Sequence, residues 1–123
     1  MIWLLVALGG AVGSLLRYGV GQLTVAFLGP ASVLGTFAVN VTGSFALGFF
    51  FTLALERIAV PVELRGMIAI GLLGGYTTFS TLSFESIRLL EAGELLHAGA
   101  SLLGNLVIGL GAAYLGVLLA RAV

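Results

Sequence analysis

Apolar residues run along this chain in four long blocks, each parted from the next by a short polar or turn-forming stretch. The first block extends from Ile2 to about Leu28, interrupted by Arg17 and Gln22, and "GPAS" (Gly29 to Ser32) ends it. Pro30 lacks a backbone donor and suits a turn or a first helical turn. The second block covers about 33–55. "ERIAVPVELR" (Glu56 to Arg65) follows it, carries Pro61 and two Glu and two Arg, and reads as the main aqueous loop. A third block spans about 66–90, "EAGELLHAG" reads as the next turn, and a fourth block spans about 98–120. About 20 apolar residues are enough to cross the hydrocarbon core of a bilayer. The pattern therefore predicts four transmembrane helices with short connections, forming one membrane domain over residues 1–123. The first block is too long, and too poor in basic residues at its start, for a cleaved signal peptide.

Composition moves the picture from apolar helices to an integral membrane protein. Hydrophobic residues make up 60% of the chain, and charged residues only 8%. A soluble domain carries about 25% charged residues, so the polar surface needed to dissolve is missing. There is no cysteine, which removes disulfides and thiolate metal sites. Five Arg balance five Glu, and Lys and Asp are absent. That balance argues against nucleic acid or a strongly anionic surface as partner. No nucleophile–base pair or metal-ligand cluster is visible, so an enzyme is not expected.

Polar residues inside the spans carry the chemical information, because each is costly unless it meets a partner, water or an ion. Thr36, Asn40 and Ser44 recur at i, i+4 on the second helix, and Ser101 and Asn105 do so on the fourth. On the third, Thr77, Ser80, Thr81 and Phe84 share one face, with Phe79 and Ser83 on an adjoining one. A hydroxyl can bond back to the carbonyl one turn earlier, but an amide cannot satisfy all its donors that way. Three stripes on three helices together predict the wall of a polar pathway. The 19 glycines mostly fit close helix packing, which small residues permit in lipid.

Among the charges, Arg17 lies well inside the first span and suits either a headgroup anchor or an electropositive vestibule. Glu85 has Arg88 within reach at i, i+3, and His97 sits near Glu94 at a helix edge. Trp3 and Tyr114 read as interface anchors. The Arg excess that orients a membrane protein is small, with Arg57, Arg65 and Arg121 on one side and Arg88 on the other. Orientation is thus weakly determined.

The stretch "GGYTTFSTLSFE" (Gly74 to Glu85) stands out within the third block. Gly74 and Gly75 are expected to break the helix in mid-membrane, which is tolerated only where backbone is buried in protein or lines a cavity. Carbonyls freed there can coordinate a cation, and the new half-helix amino terminus is electropositive. The hydroxyls that follow offer donors to an anion, and the ring edge of Phe79 carries positive quadrupole charge.

"GGYTTFSTLSFE", with "GTFAVNVTGSF" (Gly35 to Phe45) and "GNLVIGLGAAYLG" (Gly104 to Gly116), resembles the bacterial Fluc (CrcB-type) fluoride channels. The likeness covers essentially the whole chain. It implies an all-α, antiparallel, dual-topology homodimer in the bacterial cell membrane, passing fluoride outward and holding a central structural sodium ion. By that likeness, the carbonyls of Gly74 and Thr77 would hold sodium and the Asn40 amide would meet fluoride. Phe79 would offer its ring edge, and Ser80, Thr81 and Asn105 would line the track. Glu85 would stand at the pore end and Arg17 near a vestibule. Leu82 occupies a position where the family often carries a second phenylalanine, and Ser101 and Asn105 replace its usual Tyr and Ser. The alternative is a small multidrug-type proton-coupled transporter, which needs a membrane-embedded carboxylate; here the first helix offers Arg17 instead.

Overall fold

The computed structural model describes residues 1–123 and is helical throughout, with no strand. Four helices are long and apolar enough to cross a membrane: Ile2–Leu28, Leu34–Arg57, Val62–Glu91 and Leu95–Ala122. Their connections are too short to do anything but reverse the chain, so the helices alternate in direction. Gly29 and Gly93 take φ of 90° and 78°, and only glycine enters that region freely.

Two of the expected connections shrink. The stretch 56–65 is not one aqueous loop, because a wide turn closed by Ile58 N–H donating to Leu53 O carries the second helix to Arg57. The third helix then starts at Val62, immediately after Pro61, with Glu63 in its first turn. Proline suits a helix start, and a carboxylate there is favoured by the helix dipole. The fourth helix starts at Leu95 rather than near Ala98, since the turn at Gly93 completes the reversal quickly.

The third helix has two halves with different neighbours. Its first half, 62–76, packs on the first helix, while Phe79–Glu91 packs on the fourth. The second and fourth helices form the other extensive contact. Glycines set both spacings. A side-chain carbon at Gly9 would collide with Met67 O, and one at Gly13 with Leu72 O. Across the other seam, Gly48 meets the Ala113 carbonyl and Gly116 that of Phe45. These backbones touch with no room for a methyl group, the close approach expected of small residues in lipid.

Only 22 of the 123 residues are buried, and the outward faces of all four helices are apolar. Trp3 and Tyr114, read as interface anchors, are both exposed.

Candidate functional site

The third helix breaks at Thr77 and Thr78, whose backbones are extended (φ −83°, ψ 158° and φ −151°, ψ 118°). This corrects the expectation that the glycine pair would unwind. Gly74 is helical, with φ −65° and ψ −36°. Gly75 serves packing instead, because a side-chain carbon there would come within 2.9 Å of Gly10 O. The break comes from a competing partner on another helix. Asn40 Oδ1 accepts the Thr78 N–H at 2.8 Å, and Asn40 Nδ2 donates to Thr78 O at 3.0 Å. In a continuous helix Thr78 N–H would go to Gly74 O, so that carbonyl loses its usual donor.

Thr78 then starts the next half-helix. Its Oγ1 accepts the Thr81 N–H at 3.2 Å and donates to Thr81 Oγ1 at 3.0 Å, and the Ser80 hydroxyl lies 3.3 Å away. A hydroxyl acceptor at that position is the ordinary cap of a helix start. Sequence reasoning singled out Thr77, Ser80 and Thr81 but missed Thr78, the buried residue that joins them. The signal was present as a Thr one residue before "FST", where a cap would fall.

Two cavities flank the break, and Thr78 lines both. One, of about 470 Å³, is mostly apolar and is also lined by Asn40, Thr77, Phe79, Leu82 and Asn105. The Phe79 side chain is 81% exposed on this open side. The other, of about 520 Å³, is more polar and is also lined by Arg17, Thr36, Thr81 and Glu85. The predicted pathway residues Arg17, Asn40, Phe79, Thr81, Glu85 and Asn105 thus gather around one break from all four helices. Ser80 joins them through Thr78, while Phe84 lies exposed and lines neither cavity.

Each polar group has a definite partner. Arg17 does not reach outward: its Nη1 donates to Thr77 O at 3.2 Å. Glu85 does not pair with Arg88; Oε1 accepts from Thr36 Oγ1 at 2.8 Å, and Oε2 is buried without a partner. Asn40 Nδ2 also donates to Asn105 Oδ1 at 2.8 Å, so both hydrogens of that amide are engaged. Asn105 Nδ2 donates one hydrogen to Ser101 O at 2.8 Å and keeps a second. Back-bonding accounts for other hydroxyls: Thr24, Thr42, Thr77, Ser83 and Ser86 each bond the carbonyl four residues earlier. His97 sits 3.0 Å from Glu94 at the exposed start of the fourth helix, far from the break in sequence.

A sodium ion is hard and prefers oxygen ligands. Gly74 is exposed and its carbonyl has lost its usual donor, so it fits that requirement. Thr77 O already accepts from a cation, and only its second lone pair is open.

A family model described as CrcB-like protein, Camphor Resistance (CrcB), matches residues 4–117. The chain is 46% identical over 119 residues to a protein of Rhizobium leguminosarum bv. trifolii named fluoride-specific ion channel FluC, covering 97% of this chain and 95% of that one. A protein of Thermus thermophilus with the same name is 48% identical over 120 residues, covering 98% and 95%.

Proposed function

The chain belongs to the CrcB-like family, and from that membership and the chemistry of its site we infer that it is a fluoride-specific ion channel. It is a multi-pass membrane protein and not an enzyme. The observation that carries the reading is the break at Thr77–Thr78, which gathers neutral donors and a ring edge in mid-span. Neutral donors bind an anion without the charge–charge attraction that would trap it, and conduction needs sites weak enough to leave.

In this reading fluoride meets Arg17, Thr81 and Glu85 on the polar side of the break. On the apolar side it meets the Phe79 edge and the free hydrogen of Asn105, with the Ser80 hydroxyl as a further donor. Asn40 holds the wall between them, because its own hydrogens are engaged. Two antiparallel copies close the open cavities, in keeping with the exposed Phe79 and the small Arg bias. The carbonyls of Gly74 and Thr77 would hold a structural sodium ion, which would supply a fixed positive charge there.

Transport is passive and outward across a bacterial cell membrane. Fluoride enters cells as neutral HF, loses its proton in the more alkaline cytoplasm and is trapped as the anion. An anion pore releases it, helped by the inside-negative potential at about 2.3 kcal/mol per 100 mV. Nothing favours the multidrug-type alternative, since Glu85 is engaged by Thr36 and the named relatives are fluoride channels. Expression in bacteria lacking any fluoride exit route tests the reading. Growth in millimolar fluoride is expected, and growth no better than that of cells without the chain contradicts it.

A further inference from the structure

Three hydrogen bonds run in one direction across the break, and a fourth returns to Thr78. Thr78 N–H donates to Asn40 Oδ1 at 2.8 Å, Asn40 Nδ2 to Thr78 O at 3.0 Å and to Asn105 Oδ1 at 2.8 Å, and Asn105 Nδ2 to Ser101 O at 2.8 Å. The direction is fixed at both ends. A backbone N–H can only donate, so Asn40 must turn its oxygen to Thr78 and its nitrogen to Asn105. A backbone carbonyl can only accept, so Asn105 must turn its nitrogen to Ser101 and its oxygen to Asn40. Asn105 is 8% exposed and Asn40 is half-buried, so water offers little substitute at the fourth helix.

We propose that Asn105 is a positioning residue, which holds the break in the third helix open by fixing the amide of Asn40. The inference rests on the fluoride-channel reading for its effect on flux, but not for the bond relay itself. The extended backbones of Thr77 and Thr78 take the Thr78 N–H away from Gly74 O, its acceptor in a continuous helix, so the Asn40 oxygen is its one partner. Asn105 anchors Asn40 from behind, from the fourth helix. Without that anchor the Asn40 side chain gains rotamers that release Thr78, and the half-helix cap at Thr78 loses its place. Sequence spacing does not reveal this link, because Asn40 and Asn105 lie 65 positions apart.

The test replaces Asn105 with leucine, similar in size but without an acceptor, in the full chain reconstituted in liposomes. Two readouts are taken together: fluoride release and the hydrogen-exchange protection of the Thr78 amide. Asn105→Leu is expected to lower both by about tenfold, the scale of one net hydrogen bond. Where Asn105→Leu fails to fold as the natural protein does, Asn105→Ala is used, since a methyl group offers Asn40 no acceptor and does not overfill the site. Lower flux with Thr78 protection intact would overturn the proposal, leaving Asn105 as a lining residue only. Unchanged flux would overturn it too. If the natural protein itself passes no fluoride, the channel reading fails, whereas loss of Thr78 protection still decides the relay.

Discussion

At Thr78 a single backbone N–H decides the local structure. The helical alternative is a bond to Gly74 O, yet the amide of Asn40 takes both the N–H and the carbonyl of the same residue. A side-chain amide can do this because it carries a donor and an acceptor side by side, like a peptide group. The hydroxyl of Thr78 then caps the next half-helix through Thr81. Much of this was legible in residue types: Asn40, Asn105 and the hydroxyl run are costly in a membrane and had to meet something. What was not legible was the partner, since Arg17 turns inward to Thr77 and Glu85 prefers Thr36 over Arg88. Phe79 gives the sharpest residue-scale prediction. Its ring is 81% exposed, so replacement removes little packing within the chain. Phe79→Ile keeps the bulk and removes the ring edge. It is expected to abolish fluoride release from liposomes while the purified protein keeps its size and helix content; normal release would refute the role of the ring.

The third helix is the element that the sequence described best and placed worst. Its glycine pair, hydroxyls and carboxylate announced a break, but the break starts at Thr77, two residues after Gly75. The reason lies in what each glycine touches. Gly75 faces Gly10 and Gly71 faces Val6 O, so these glycines hold the first half against the first helix. The break falls where the helix leaves that neighbour for the fourth helix. Single-sequence periodicity cannot separate a glycine that bends from one that packs, because both read as a missing side chain. The helix-scale prediction follows from the contacts. A methyl at Gly13 would meet the Leu72 carbonyl, a backbone atom that cannot swing away. Gly13→Ala is expected to destabilise the fold by about 1–3 kcal/mol, the range for overpacking, read as earlier unfolding in detergent titration. Gly19→Ala, with nothing within 4 Å, is the control. It is expected to be neutral or slightly stabilising, and equal losses at both positions would contradict the packing account.

The whole molecule is four helices around one polar break, with two cavities that a lone copy leaves open to its surroundings. Four spans and the membrane class were fully legible, because apolar length and scarce charge are properties of the chain itself. Closure was not, because it belongs to whatever covers the exposed faces. An antiparallel pair of copies predicts that a label attached to the amino terminus is reached from both faces of the membrane; access from one face alone would refute that arrangement. Fluoride must be chosen over chloride by the donors around the break, most of which are neutral. Liposomes containing the protein and loaded with equal fluoride and chloride give the most direct reading, through ion-selective electrodes in the outer solution. Rapid release of fluoride with chloride retained is the predicted result, while release of both together, or of neither, would contradict it.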